Sequence, residues 1–127
     1  MGMEQAVTFA AGAGPAWELV RDLLTGRGYP VQLRMIDGEL AFPDETPPEG
    51  WRELRVGTAQ GMVTLRREPG RVLIVTWGNA DAGMRQAWHV LTWAVAEAGG
   101  GRVVAGDGSL TAAEFQASAE LPEALRR

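Results

Sequence analysis

Nucleophilic catalysis needs a nucleophile, a base to activate it and a third group to orient the base. This chain is short of all three. Its only histidine is His89, its only serines are Ser109 and Ser118, and it has neither cysteine nor lysine. Neither serine stands in the strand–turn–helix elbow of a Gly-x-Ser-x-Gly nucleophile. The absence of lysine removes Schiff-base chemistry. The absence of cysteine removes thiolate nucleophiles, thiolate metal sites and disulfides together. A single histidine makes a His-x-x-x-His metal pair impossible, so no catalytic residues, no metal and no cofactor are expected. Gly12 and Gly14 precede a helix in the manner of a phosphate-binding turn. Trp17, however, occupies the place of the third glycine of the dinucleotide fingerprint, and no Gly-Lys-Ser/Thr follows.

Charge is the remaining source of chemistry. Asp37, Glu39, Asp44, Glu45 and Glu49 fall between positions 37 and 49 with no base among them. A hydrolase or isomerase working through acids alone would need burial to drive two of their pKa values apart. A hairpin tip and a proline-rich loop offer water instead. The cluster reads as a solvated acidic edge or, with Asp44, Glu45 and Glu49 at its centre, a recognition surface for a basic partner. Arg52, Arg55, Arg66, Arg67 and Arg71 fall on neighbouring strands or their turns. They are expected to line one sheet face opposite the helices, either paired across strands with Glu53 and Glu68 or forming a guanidinium patch for a carboxylate or phosphate. Arg52, Arg66 and Arg71 are the ligand candidates on the second reading. The whole chain carries a net charge of −4, and all twelve bases are arginine. With abundant alanine and glycine, that points to codon bias in a GC-rich genome, and an acidic balance disfavours duplex nucleic acid.

The elements that must hold these groups follow from apolar periodicity. Val7-Thr8-Phe9 reads as a strand. Pro15 opens a helix to about Thr25, with Trp17, Val20, Leu23 and Leu24 as its buried stripe and Gly26 and Gly28 beyond its end. Val31, Leu33 and Met35 alternate with polar residues as a half-buried strand does. Asp37-Gly38 is a two-residue hairpin turn, with Leu40 and Phe42 on the return and an exposed loop from Pro43 to Gly50. Strands are expected over 51–56, 62–67, 72–77 and 102–105. Val72-Leu73-Ile74-Val75, apolar on both faces, is the centre of the sheet. Asn79 or Asp81 caps a helix over about 80–98, which ends at Gly99-Gly100-Gly101. Thr111 and Glu114 form a capping box for a last helix over 111–118.

Two units of strand, helix, glycines and strand flank a run of hairpins. They predict one α+β domain over residues 1–127. Its mostly antiparallel sheet has about six or seven strands, with two long helices packed on one face, ferredoxin-like with added strands. The helical phase of residues 80–98 adds one expectation. Counted from Met84, the core stripe is Met84, Ala87, Trp88, Leu91, Val95 and Ala98. His89 then falls about 140° away, near solvent, while Trp93 and Val90 point outward at about 180° and 240°. Such residues are covered either by the C-terminal segment (Leu110, Phe115, Leu121, Leu125) or by a second subunit.

Met1 to Phe9 has no cationic start and no apolar run, so no signal peptide is expected; no stretch approaches the roughly 20 apolar residues of a membrane span, and a reducing, cytoplasmic compartment is expected. From the second helix onward, the glycine break, the short strand, Asp107-Gly108 and the capped last helix resemble small bacterial α+β domains. Some of those serve as immunity or adaptor proteins for toxins. The acidic edge, the outward Trp93 and the lack of catalytic groups lead to the expectation of a non-catalytic protein-interaction module, antitoxin- or immunity-like, an adaptor or self-associating. A small anionic-ligand domain using the arginine-bearing face or the Gly12–Gly14 turn is the alternative.

Overall fold

The computed structural model describes residues 2–10, 12 and 14–126. The elements run β1 (Gly2–Thr8), α1 (Trp17–Gly26), β2 (Gln32–Ile36), β3 (Glu39–Leu40), β4 (Glu53–Thr58), β5 (Gly61–Glu68), β6 (Arg71–Trp77), α2 (Ala82–Gly99), β7 (Arg102–Ala105), β8 (Gly108–Thr111) and α3 (Ala112–Ser118). A 3₁₀ turn follows at Glu123–Leu125. All eight strands form one sheet, ordered β3-β2-β4-β5-β6-β1-β7-β8, and every neighbouring pair is antiparallel. The chain is therefore α+β with an antiparallel sheet, as its patterning implies.

The strand–helix–strand units take their split form. β6 and β7 run in the same direction with β1 inserted between them, and α2 makes the crossover. β6, predicted as the central strand, lies inside the sheet. Its Val72 and Ile74 are buried on one face, and even Leu73 on the other is only 7% exposed. The split leaves two faces of opposite character. Val7, Leu33, Leu54, Val56, Val63, Leu65, Val72, Ile74 and Val103 project to the helices and are buried with them in one core. The other face carries no helix.

Three details differ from expectation. There are eight strands rather than six or seven, because the chain after Asp107-Gly108 pairs with β7 before entering α3. The helix layer is one long helix, α2 of 18 residues, with two shorter ones, α1 of ten and α3 of seven. The predicted return strand through Phe42 is only two residues long. Pro43 cannot donate to a ladder.

A further difference concerns α2 and is a correction. Trp93 is 1% exposed and Val90 is fully buried, so neither points outward. α2 packs on β1, β5, β6 and β7, with α1 and α3 also against it, and Leu121 and Leu125 beyond α3 join the same buried cluster. From Val90 to Ala96 every residue is buried. A helix apolar on all sides belongs in an interior. The Arg27 guanidinium lies 5.3 Å from the Trp93 ring centroid, adding a cation–π contact at the ring. The Trp88 indole donates to the Ile74 carbonyl at 2.7 Å and fixes α2 to the central strand.

The capping predictions hold. Asp81 accepts from the Met84 amide at 2.8 Å. Thr111 and Glu114 bond each other's backbone amides at 3.1 and 2.8 Å, a complete capping box.

The Asp37-Gly38 turn also forms. Both residues have positive φ, +50° and +85°, as a type I′ turn requires. One Asp37 carboxylate oxygen accepts from the amides of Arg52 and Glu53, each at 2.8 Å, and so ties the β2–β3 turn to the start of β4. Those backbone bonds hold the carboxyl below its ordinary pKa. Asp37→Ala is expected to cost about 1–2 kcal/mol, the low end for charged hydrogen bonds because water screens the site. The sign follows from the depressed pKa. The contribution is present above the ordinary carboxylate value and is lost as pH falls through the folded one. Urea melts of the variant at pH 7 and pH 3 check both statements: the deficit shrinks at the lower pH.

Candidate functional site

The uncovered sheet face is where strand alternation collects side chains that the core does not use. The registers place Met35 opposite Arg55, Arg55 opposite Thr64, Thr64 opposite Val75 and Val75 opposite Glu4, a continuous row from β2 to β1. In a flanking row Glu53 faces Arg66, Arg66 faces Leu73 and Leu73 faces Ala6. On the other flank Gly57 faces Met62, and Trp77 faces Gly2. A depression of about 260 Å³ lies across these rows, lined among others by Glu4, Arg55, Met62, Arg66, Val75 and Trp77.

The depression is half apolar and half polar, with two arginines in its polar part. Trp77 is 64% exposed and Met62 44%. An indole left in water at the end of the central strand costs hydrophobic free energy that a ligand would recover. Gly2, beside Trp77, opens the wall there. A Cβ at that position would lie 3.0 Å from the Thr76 carbonyl oxygen and 3.3 Å from a Val75 methyl. On the cationic side, Arg66 Nε lies 3.2 Å from one Glu53 oxygen and Arg55 Nε 3.9 Å from the other. Two guanidiniums thus share one carboxylate. Each carries five N–H donors, and exposed ion pairs of this kind are weak, at about 0–1 kcal/mol. Capacity for a second anion remains.

The five arginines expected on this face divide. Arg55, Arg66 and Arg71 do project from it. Arg71 stands outside the depression, and its Nε pairs with Glu68 at 2.7 Å. Arg67 faces Val72, on the helix side. It lies over the Trp51 ring at 4.0 Å and donates to the Glu49 carbonyl at 2.6 Å. Arg52 precedes β4, is exposed, and its amide serves Asp37. Of Arg52, Arg66 and Arg71, only Arg66 lines the depression. Arg55, Met62 and Trp77 complete it. The period-2 pattern of β4 and β5 carried that signal for Arg55, since Leu54 and Val56 are core residues.

The other expected positions have structural uses. Gly14 is a packing glycine: an added Cβ would lie 2.7 Å from a Val72 methyl and 3.2 Å from the Phe9 ring. Ala11 and Ala13 lie outside the described residues. Asp44 is exposed, while a Glu45 carboxylate oxygen accepts from the Phe42 amide at 3.1 Å within its own loop. Glu49 is exposed, and its part in the observed bonding is the backbone carbonyl that Arg67 holds.

The chain matches no protein-family model, no curated protein and no solved structure.

The site is therefore read from its own geometry. Among the described residues no group of three or more His, Cys, Asp or Glu is placed to hold a metal ion, and no helix is long and apolar enough to cross a membrane.

His89, expected near solvent, is half-buried between α2 and α3. Its ring stacks on Trp88 and meets the Phe115 ring edge-on. Nδ1 is buried with no hydrogen-bond partner among the described residues. Burial pushes the imidazole below its ordinary pKa, with Glu120 opposing and Arg85 reinforcing. The fold therefore favours the neutral ring. Stability is at its full value above the ordinary histidine pKa of about 6.5 and declines as pH falls from there to the folded value. Urea midpoints between pH 7.5 and pH 5 should fall for the natural chain and stay flatter for His89→Gln. Carboxylate titrations lie below that window.

Proposed function

We propose that this chain is a binding domain for small amphipathic anions, seated in the Arg55–Arg66–Trp77 depression of the uncovered sheet face. One observation carries the reading: two guanidiniums share a single carboxylate beside an exposed indole and a methionine. A carboxylate or phosphate would complete the guanidinium pairing, and an apolar body would take Trp77 and Met62 out of water. Arginine favours such anions because its planar fork can offer two parallel N–H bonds. The volume is slightly under the range of about 300–1,000 Å³ typical of drug-sized ligands, which suits a small metabolite. The ordering β7-β1-β6 beneath α2 and α1 supports a ferredoxin-like plan with added strands, whose uncovered face is free to bind.

Thermal-shift screening with carboxylated and phosphorylated metabolites tests this. A ligand at a hundred times its Kd stabilises by about 2.7 kcal/mol, a rise of several degrees in Tm for a domain of this size. A screen without a stabilising compound removes the reading.

A second reading, association with another protein, has its own observation. Leu40 is 89% exposed and Phe42 75%, together at the β3 edge, and the acids Asp44, Glu45 and Glu49 follow in the adjoining loop. With Trp93 and Val90 interior, this edge carries the two most exposed large apolar side chains among the described residues. Light scattering over a range of concentrations would register self-association as a rising mass that Leu40→Glu lowers. A constant monomer mass excludes self-association.

A further inference from the structure

The depression is not uniformly cationic. Its β4–β5 side holds two guanidiniums and one carboxylate, a surplus of positive charge. Its β1 side holds Glu4, which is exposed, faces Val75 directly across the β1–β6 pair, and forms no ion pair among the described residues. The two surplus charges stand on opposite sides of a floor made by Thr64 and Val75, with Met62 and Trp77 to one flank.

We propose that the ligand is zwitterionic, a di- or tripeptide with an apolar side chain: its carboxylate lies at Arg55 and Arg66 and its amine at Glu4. The inference rests on the anion-binding reading above and adds the second charge and the length. Strands lie about 4.8 Å apart, so the Glu4 backbone is roughly 12 Å from that of Arg66, two strands over and two residues along, and roughly 14 Å from that of Arg55, three strands over. A free α-amino acid carries its ammonium and carboxylate on the same carbon and spans far less of that gap. A chain of two or three residues reaches about 7–10 Å at 3.3–3.6 Å per residue, and the arginine side chain covers any remainder. Like charges at either end would meet repulsion from Glu4 or from the arginine pair, so the floor selects for polarity as well as size.

The test is calorimetric titration of the purified chain with a small set of di- and tripeptides bearing leucine, valine or phenylalanine. Each is used free, N-acetylated and C-amidated, with 3-phenylpropionate as a carboxylate lacking the amine. Free peptides are expected to bind. N-acetylation and amidation should each weaken binding about fivefold, the effect of one solvent-screened ion pair. In Glu4→Gln the free and acetylated forms should bind equally, and in Arg66→Gln the free and amidated forms should bind equally. Both residues are on the surface, so the variants fold. If acetylated peptides or phenylpropionate bind the natural chain as well as free peptides do, the zwitterion inference is overturned while the anion site stands. If neither the peptides nor phenylpropionate bind, the inference falls, and the metabolite screen decides the broader reading separately.

Discussion

Trp93→Ala is expected to lower the unfolding free energy by about 3–5 kcal/mol, the range for truncating a large buried aromatic. The indole is 1% exposed within α2, so removing it leaves a cavity that α1, α3 and the sheet cannot close together. The change also removes the contact with Arg27. Net stabilities of such domains are about 5–15 kcal/mol, so the variant sits near the threshold of folding. Trp93→Phe should cost far less. The indole Nε1 has no hydrogen-bond partner among the described residues, and the phenyl ring keeps much of the volume while removing that orphan donor, whose burial is itself unfavourable. Urea midpoints at constant m-value measure both. A loss below 1 kcal/mol for the alanine variant would put the ring back at the surface and revive the outward-facing interface.

The second large effect is on binding. The double variant Arg55→Ala/Arg66→Ala should weaken the best anion found by screening about 5–30-fold, two screened charge contacts at roughly 0.5–1 kcal/mol each. Its stability should move little, since the exposed ion pairs to Glu53 contribute weakly. Arg71→Ala is the internal control. It removes a guanidinium from the same face, but one outside the depression and already paired with Glu68. Equal losses from both changes would mean that overall charge, and not the depression, governs binding. Isothermal titration at two salt concentrations separates these cases, because diffuse attraction fades faster with salt than close pairing.

The sequence made the architecture legible wherever one local rule decided the outcome. Asp37-Gly38 formed its turn because only positive φ closes a two-residue hairpin there. Thr111 and Glu114 formed their box because both partners lie within one helical turn. The apolar run of β6 marked the sheet's interior because neighbouring strands leave even Leu73, on the face without helices, only 7% exposed. What stayed hidden depended on neighbours. The phase of α2 identified a stripe, but Val90 to Ala96 has a single polar residue, Thr92, and its hydroxyl donates internally to the Trp88 carbonyl. That run signals a helix enclosed on all sides, which a single-stripe count from Met84 overlooks.

The site was legible to a similar depth. An arginine-bearing face opposite the helices could be read from alternation, and Arg55, Arg66 and Arg71 do share it. Which of them converge could not, because convergence depends on cross-strand register. Register brought Arg66 opposite Glu53, two residues from Arg55 on the same strand, and placed Trp77 beside Gly2. Arg67 turned to the other face because it alternates with Arg66, and Trp51 offered its ring there.

The most direct measurement is a chemical-shift map of the isotopically labelled chain titrated with an apolar carboxylate such as 3-phenylpropionate. Saturable shifts are predicted at the amides of 2–4, 55, 62–66 and 75–77 and at the Trp77 indole N–H, with α2, α3 and the β3 edge unmoved. Shifts confined to the β3 edge or the helices would contradict a binding site on the uncovered sheet face.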